Sequence, residues 1–553
     1  MRTRTPFRVA AAAATFALLV TACGGGEDPE ADPGTGDETP TESEEPGGGG
    51  SEEPPEPTGG TYAAELTEPS FLAPASNCYE SECSAVLKMI NDPLVDTTFP
   101  EGELEFTGLA ESIESDPAQT VWTIKLKPDL KFHNGEPVNA DAFIRAWNYS
   151  QDPANAQATA GFLARIVGAG EGKEMKGLKK IDDLTFEVTL DGPFSQFGQQ
   201  MSYGPAFAPI AQACLDDLKA CNEKPIGTGP YMMDGKWQHD QGITVTKWAD
   251  YKGEAPANAD TIEFTMFTDG VAAFRDFQNG GVDVLGSVDP TVYLEAKQEL
   301  GDAIIEEPSA TLTYLGFPTK EAPFDNVQVR QAMSLAIDRE AITEAVLNGL
   351  AIPSTDIVTP PIPGSRDDAC EYCEYDPDRA QQLFEESGVD PEGLTAQYYF
   401  NADAGHDQWV EAAARQIQET LGIDYKLQST EWAQYLELLD KQEFTGPFRL
   451  GWALDYPSPE NYVRPIVGTG GDSNYTGYSN PELDDLLVQG DRAATLEEGI
   501  QFYQQADDVA LEDMPIIPMW SGVTAIAGSD EVADVRYDVG EGEIAFGEIT
   551  VPQ

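Results

Sequence analysis

The chain has 553 residues, 97 of them acidic and 32 basic, for a net charge of −65. Such a deficit of positive charge excludes nucleic acid and anionic membrane surfaces as docking partners; it suits a well-solvated surface or a cationic ligand. The length exceeds what one hydrophobic core serves and points to two or three lobes.

In chain order, Arg2, Arg4 and Arg8 precede an apolar run from Val9 to Val20, too short for a permanent membrane span. Leu19-Val20-Thr21-Ala22-Cys23 then sets small residues before a cysteine, so residues 1–22 read as a secretory signal peptide. The pentad resembles the lipobox of bacterial lipoproteins. That resemblance implies cleavage before Cys23, acylation of its thiol, and a lipid anchor at the extracellular face of the membrane. Residues 24–60 hold twelve acidic residues, no basic one and no aliphatic side chain larger than Ala. With Cys23 they read as a disordered acidic tether, 23–60, reaching about 30–36 Å as a flexible coil.

The other six cysteines fall into close pairs, Cys78/Cys83, Cys214/Cys221 and Cys370/Cys373. Outside the cell these spacings read as three local disulfides, although six cysteines allow about fifteen connectivities. Cys370-Glu-Tyr-Cys373 has a rival reading as a redox pair or half a zinc site. Zinc needs further Cys or His, and His133, His239 and His406 are isolated in the sequence. No metal or cofactor is expected.

Strands and helices alternate through the rest. Trp122, Ile124 and Leu126 alternate with Thr123, Lys125 and Lys127 as a half-buried strand; Leu130 and Phe132 extend its apolar face to a hairpin at Asn134-Gly135. Asn139 reads as the N-cap of a helix burying Phe143, Ile144 and Trp147. Leu184, Phe186, Val188 and Leu190 mark another strand. A helix around 272–277 stops at Gly280-Gly281, and Val282, Val284 and Leu285 begin a buried strand. Asp325 or Asn326 caps a helix carrying Val329, Met333 and Ile337; Asp338 caps the next, which Gly349 ends. A helix over about 408–420 precedes a strand at 424–427. This alternation predicts α/β lobes.

No catalytic constellation stands out: there is no G-x-S-x-G and no H-E-x-x-H, and the run Gly168 to Lys173 lacks the spacing of a phosphate loop. A binding protein is expected, not an enzyme. Trp122-Thr-Ile-Lys-Leu-Lys-Pro-Asp-Leu-Lys-Phe-His-Asn-Gly135, with Pro137-Val138 and Ala140-Asp-Ala-Phe143, resembles a hallmark of the family 5 extracellular solute-binding proteins of ABC importers. Pro225-Ile-Gly-Thr-Gly-Pro-Tyr231, Val329 to Arg339, Tyr375 to Ala380 and Gly451-Trp-Ala-Leu-Asp455 to Asn461 are similar to further family segments, in the family's order.

The resemblance implies a two-lobed, type II periplasmic-binding-protein-like α/β fold with mixed sheets, a hinge and an extra inserted domain. Lobe I is expected from 61–99, 222–317 and 515–553, the insert from 100–221, and lobe II from 318–514. The implied role is to capture oligopeptides or dipeptides as a monomer and deliver them to ABC permease subunits. The same fold binding a sugar, opine or metal chelate, and a peptide-sensing surface protein without transport, are the alternatives. Carried over by position, Asp455 is implied to pair with the ligand's α-ammonium, Trp452 and Trp432 to wall side-chain pockets, Arg449 to meet a ligand carboxylate, and Asn77 and Tyr79 to border the cleft. Leu72-Ala73-Pro74 departs from the family's usual Leu-Asp-Pro, which puts the last two in doubt.

Overall fold

The computed structural model describes residues 59–99, 101–402 and 405–552. The expected signal peptide, Cys23 and nearly all of the expected tether lie outside the described residues. The sequence-predicted elements appear where their patterns placed them. Trp122, Ile124 and Leu126 are the buried face of Val121–Leu126. Asn139 accepts a hydrogen bond from Ala142 N–H at the start of Ala140–Gln151, and Asn326, Asp338 and Asp376 cap their helices in the same way. The Val282–Leu285 strand is shorter than its apolar run, with only Val284 and Leu285 paired. Helix Arg339–Leu347 ends one residue earlier than expected, on Asn348 in the left-handed region, where a short polar side chain tolerates positive φ.

An eleven-stranded mixed sheet organises the body. From one edge it runs Asp424–Thr430, Thr395–Asn401, Phe448–Ala453, Ile304–Gly316, Ile516–Gly528, Val284–Leu285, Thr61–Leu66, Thr261–Met266, Gly242–Lys247 and Tyr231–Met233, with Ala351–Pro353 added beside Ile516–Gly528. A separate four-stranded antiparallel sheet contains Val121–Leu126 and Thr185–Thr189.

The cores divide along the chain. One gathers residues from Leu94 to Cys221, including Trp122, Phe143, Trp147 and Phe186. A second, around Tyr62, Tyr231, Ile262 and Phe264, and a third, around Phe274, Val282 and Leu285, lie about the Thr61–Leu66 half of the large sheet. The fourth runs from Ala310 to Trp520. It takes in 310–317 and 516–520 because two 13-residue strands, Ile304–Gly316 and Ile516–Gly528, pass from one core to the next. Their antiparallel register shifts between Pro308 and Leu312. Inside this bulge Ser309 Oγ and Thr311 Oγ1 are hydrogen-bonded at 2.7 Å. A Cβ on Gly522 opposite would lie 2.6 Å from Ser309 Oγ and 2.7 Å from Thr311 Oγ1, so any larger residue would have to displace the bonded hydroxyl pair.

All three local disulfides are formed, with Cα–Cα separations of 5.8, 5.1 and 5.3 Å for Cys78–Cys83, Cys214–Cys221 and Cys370–Cys373. The Gly-Thr-Gly motif is a backbone-to-backbone joint. Gly229 N–H donates to Ile90 O at 2.7 Å, Asp92 N–H donates to Thr228 Oγ1, and a Cβ on Gly227 would lie 2.1 Å from Ile90 O. His133 clips this joint to the Asn134-Gly135 hairpin. Its Nδ1 accepts from Gly227 N–H at 3.2 Å, so the proton sits on Nε2, 3.1 Å from Gly229 O.

Burial lowers the pKa of His133, opposed in part by the Gly229 contact. A neutral native histidine stabilises fully above the unfolded pKa of about 6.5, and that contribution drains away as pH falls through the lower native value. Urea unfolding from pH 7.5 to 5 is expected to show a steeper loss of stability for the wild type than for His133→Asn. Parallel curves would dissociate the imidazole from the effect.

Candidate functional site

The segment after strand Phe448–Ala453 turns sharply and enters the short helix Glu460–Val467. Asp455 sits in that turn, half-buried, and Asn461 holds it from two sides. Asn461 Nδ2 donates to Asp455 Oδ2 at 2.9 Å, and its Oδ1 accepts from Asp455 N–H at 3.0 Å. The same Oδ1 lies 3.4 Å from Trp452 Nε1. One nearly fully buried amide, 3% exposed, thus orients both the carboxylate and the indole. Asp455 makes no ion pair among the described residues. Burial raises its pKa to about 6, the Asn461 hydrogen bond pulls it down, and Glu460 pushes it up.

From the Leu94–Cys221 core, Tyr203 approaches this carboxylate. Burial raises the pKa of its phenol, the charge of Asp455 adds to the rise, and Lys88 opposes it. Tyr203 is thus influenced by both an anion and a cation, and Phe162 stacks on its ring at 4.5 Å. A cavity of about 670 Å³ opens beside it, lined by Lys88, Asp92, Phe99, Ser202, Gly204 and Glu541 among others. None of the six sequence-predicted ligand residues lines that cavity.

The remaining candidates scatter. Trp452 and Arg449 are three positions apart on one strand and so leave it from opposite faces. Arg449 Nη1 donates to Asn401 Oδ1 at 3.2 Å, and its own carbonyl accepts from Tyr435 O–H at 2.6 Å. Trp432 is 39% exposed at the start of helix Trp432–Lys441 and stacks on Tyr435 at 6.0 Å. Tyr79 is 67% exposed beside the Cys78–Cys83 bridge. Asn77 ends a short 3-10 turn whose Ser76 carbonyl accepts from Thr159 N–H and Oγ1. The structure brings together Asp455 and Trp452, joined by Asn461 and Tyr203, which the sequence reading did not single out. Asn461 lay inside the motif that suggested Asp455; Tyr203 carries no local signal.

The Val329–Arg339 segment is structural instead. Arg330 and Arg339, both nearly fully buried, donate to the carbonyls of Phe324, Met514, Cys373 and Pro518. Burial pushes the Arg339 guanidinium down to about 9.

The mixed α/β architecture, with two long strands passing between separate cores, defines the class: a solute-binding protein of the type II periplasmic fold. Residues 107–474 match the pattern of the bacterial extracellular solute-binding proteins, family 5 middle region. The chain belongs to that family, whose members are extracellular or periplasmic binding components of ABC importers rather than enzymes. It is 26% identical over 467 residues to the oligopeptide-binding protein OppA of Bacillus subtilis, covering 81% of this chain and 84% of the relative. It is 28% identical over 463 residues to that organism's dipeptide-binding protein DppE (78% and 82%) and 27% identical over 433 residues to heme-binding protein A of Haemophilus influenzae (74% and 78%). In fold it resembles HbpA2 of Haemophilus parasuis, with a TM-score of 0.76, 23% identity and coverage of 89% and 100%. No helix among the described residues is long and apolar enough to cross a membrane.

Replacing Asn461 by Ala removes the lowering hydrogen bond from Asp455. The Asp455 titration midpoint, followed by carboxyl carbon NMR, is expected to rise, and stability to fall by about 1–3 kcal/mol. An unmoved midpoint would mean that the amide does not govern the carboxylate.

Proposed function

We propose that this protein is a lipid-anchored extracellular receptor that encloses a peptide between two lobes and passes it to the permease of an ABC importer. In this reading lobe I comprises 61–99, 222–317 and 515–553, the insert 100–221 and lobe II 318–514, and the bulge at Ser309–Thr311 against Gly522 is the hinge. Cores that separate on either side of two crossing strands support that division. Asp455 is the observation that carries the cargo. An ionised carboxylate held in a partly buried turn with no cationic partner among the described residues lacks the counter-charge that a peptide's α-ammonium supplies. The relatives named for oligopeptides and dipeptides supply the chemical class. Trp452 is assigned to the pocket wall beside it, where an indole offers apolar area with little rotamer entropy to lose. Trp432, Arg449, Asn77 and Tyr79 are assigned to contacts further along the ligand.

Calorimetry of the detergent-solubilised full chain against a short-peptide library tests this. Asp455→Ala is expected to weaken free-amine peptides by more than about a hundredfold, since removing one partner of a buried pair costs about 3–5 kcal/mol. N-acetylated peptides are expected to bind weakly to wild type and variant alike. Wild-type affinity is expected to fall as pH drops from 7 to 5, because protonating a carboxyl that titrates near 6 removes the charge the ammonium needs. Heme or a sugar binding where no peptide does would reassign the cargo.

The anchor has its own measurement. Mass spectrometry of the membrane fraction is expected to find acyl chains on Cys23, and Cys23→Ser is expected to move the protein into the medium. A variant retained in the membrane would refute lipidation as the tether.

A further inference from the structure

Away from Asp455, the Leu94–Cys221 core meets the Ala310–Trp520 core along a polar seam. Helix Pro481–Asp491 ends there, and a helix C-terminus leaves carbonyls in need of donors. The donors come from the other core. Ser195 N–H donates to Asp491 O at 2.9 Å, and Ser195 Oγ donates to Gly490 O at 2.9 Å. Gln119 Nε2 donates to Ala493 O at 3.4 Å. Arg165, its guanidinium 4.2 Å over the Phe194 ring, reaches Asp491 Oδ2 at 3.4 Å, placing a cation where the helix dipole favours one.

Asp491 is prepared for this contact from its own side, by Arg464 and by the Tyr503 hydroxyl at 3.1 Å. Arg464 also pairs with Glu460. Glu460, Asn461 and Arg464 all lie on the eight-residue helix Glu460–Val467, so the element that orients Asp455 also orients Asp491. Gln196, fully buried next to Ser195, lies against Gly499 at the same seam. The hydrogen bonds and ion pair named here are all polar and join the two cores through the helix end.

We propose that the Arg165, Ser195 and Gln119 edge and the Gly490–Ala493 turn form a clasp that holds the closed form, so that helix Glu460–Val467 links ligand capture to closure. The clasp rests on the two-lobed reading above and needs no particular cargo. Arg165 and Ser195 act as positioning residues, setting affinity without touching the ligand.

Spin labels at the exposed positions Ile181 and Tyr375 of the full chain report the distance across the seam. Without any ligand, Arg165→Ala combined with Ser195→Ala is expected to raise the ratio of long to short distances about three- to tenfold, with Arg165→Lys restoring part of it. Distance distributions that coincide with the wild type would overturn the clasp. If the double variant does not fold, Gln119→Ala and Arg165→Lys are measured in its place, each expected to shift the ratio in the same direction; no shift in either overturns it equally. In stopped-flow release of a bound tripeptide, the double variant is expected to be faster by the same factor. Wild type that binds no peptide faults the cargo reading alone, because the ligand-free distances still decide the clasp.

Discussion

Continuity between the two halves of the molecule rests on one strand pair. Ile304–Gly316 and Ile516–Gly528 hydrogen-bond to each other along most of their length, yet their ends are buried in different cores. A sheet that crosses between cores is stiff against sliding and compliant in twist. The register breaks between Pro308 and Leu312, where Ser309 and Thr311 bond to each other opposite Gly522, and again between Thr313 and Tyr314; both breaks fall in the middle of the long strand and favour bending there. In the two-lobed reading proposed above, the Asp455 turn and the Arg165 seam lie between parts whose relative position this strand pair governs.

The same economy shapes the Asp455 site. Keeping a carboxylate partly buried raises its pKa; hydrogen bonding to its charged form lowers it again. Asn461 supplies that bond and, by accepting from the Asp455 amide and the Trp452 indole, uses its second polar atom to fix the turn. The carboxylate is thus held in place by a neutral group, which leaves its charge uncompensated. The seam at Asp491 uses the opposite device. There two arginines from different cores converge on one carboxylate, and its charge is spent on structure.

What could be read from the sequence follows from the range of each interaction. Caps are local: Asn139, Asn326 and Asp338 each bond an amide two or three residues on and were legible in sequence, as Asp376, read only as part of a family segment, also does. The alternation of Trp122, Ile124 and Leu126 was likewise legible, because burial on one face of a strand has a period of two. The close cysteine pairs bonded locally, as their spacing suggested. Asp455 and Trp452 share a motif, and so does the Asn461 that ties them, although its role shows only in space. Tyr203 lies more than two hundred residues away and meets Asp455 only through the fold. Arg449 looked adjacent to Trp452 in a linear reading, and strand geometry sends the two side chains to opposite faces. The buried Arg330 and Arg339 read as family motif residues; their partners are main-chain carbonyls that no pattern of side chains announces.

The register of the crossing strands carries a consequence for how such a protein diversifies. Gly316 and Ile516 are paired partners, so the stretch between them leaves the sheet and returns to it side by side. A segment with adjacent ends can be exchanged for another of like spacing by recombination, leaving the rest of the architecture undisturbed. Asp455, Trp452, Arg449 and Trp432 all fall within that block. If these four contact the ligand as proposed, that share of the recognition chemistry can travel as one piece, while Asn77 and Tyr79 lie outside it.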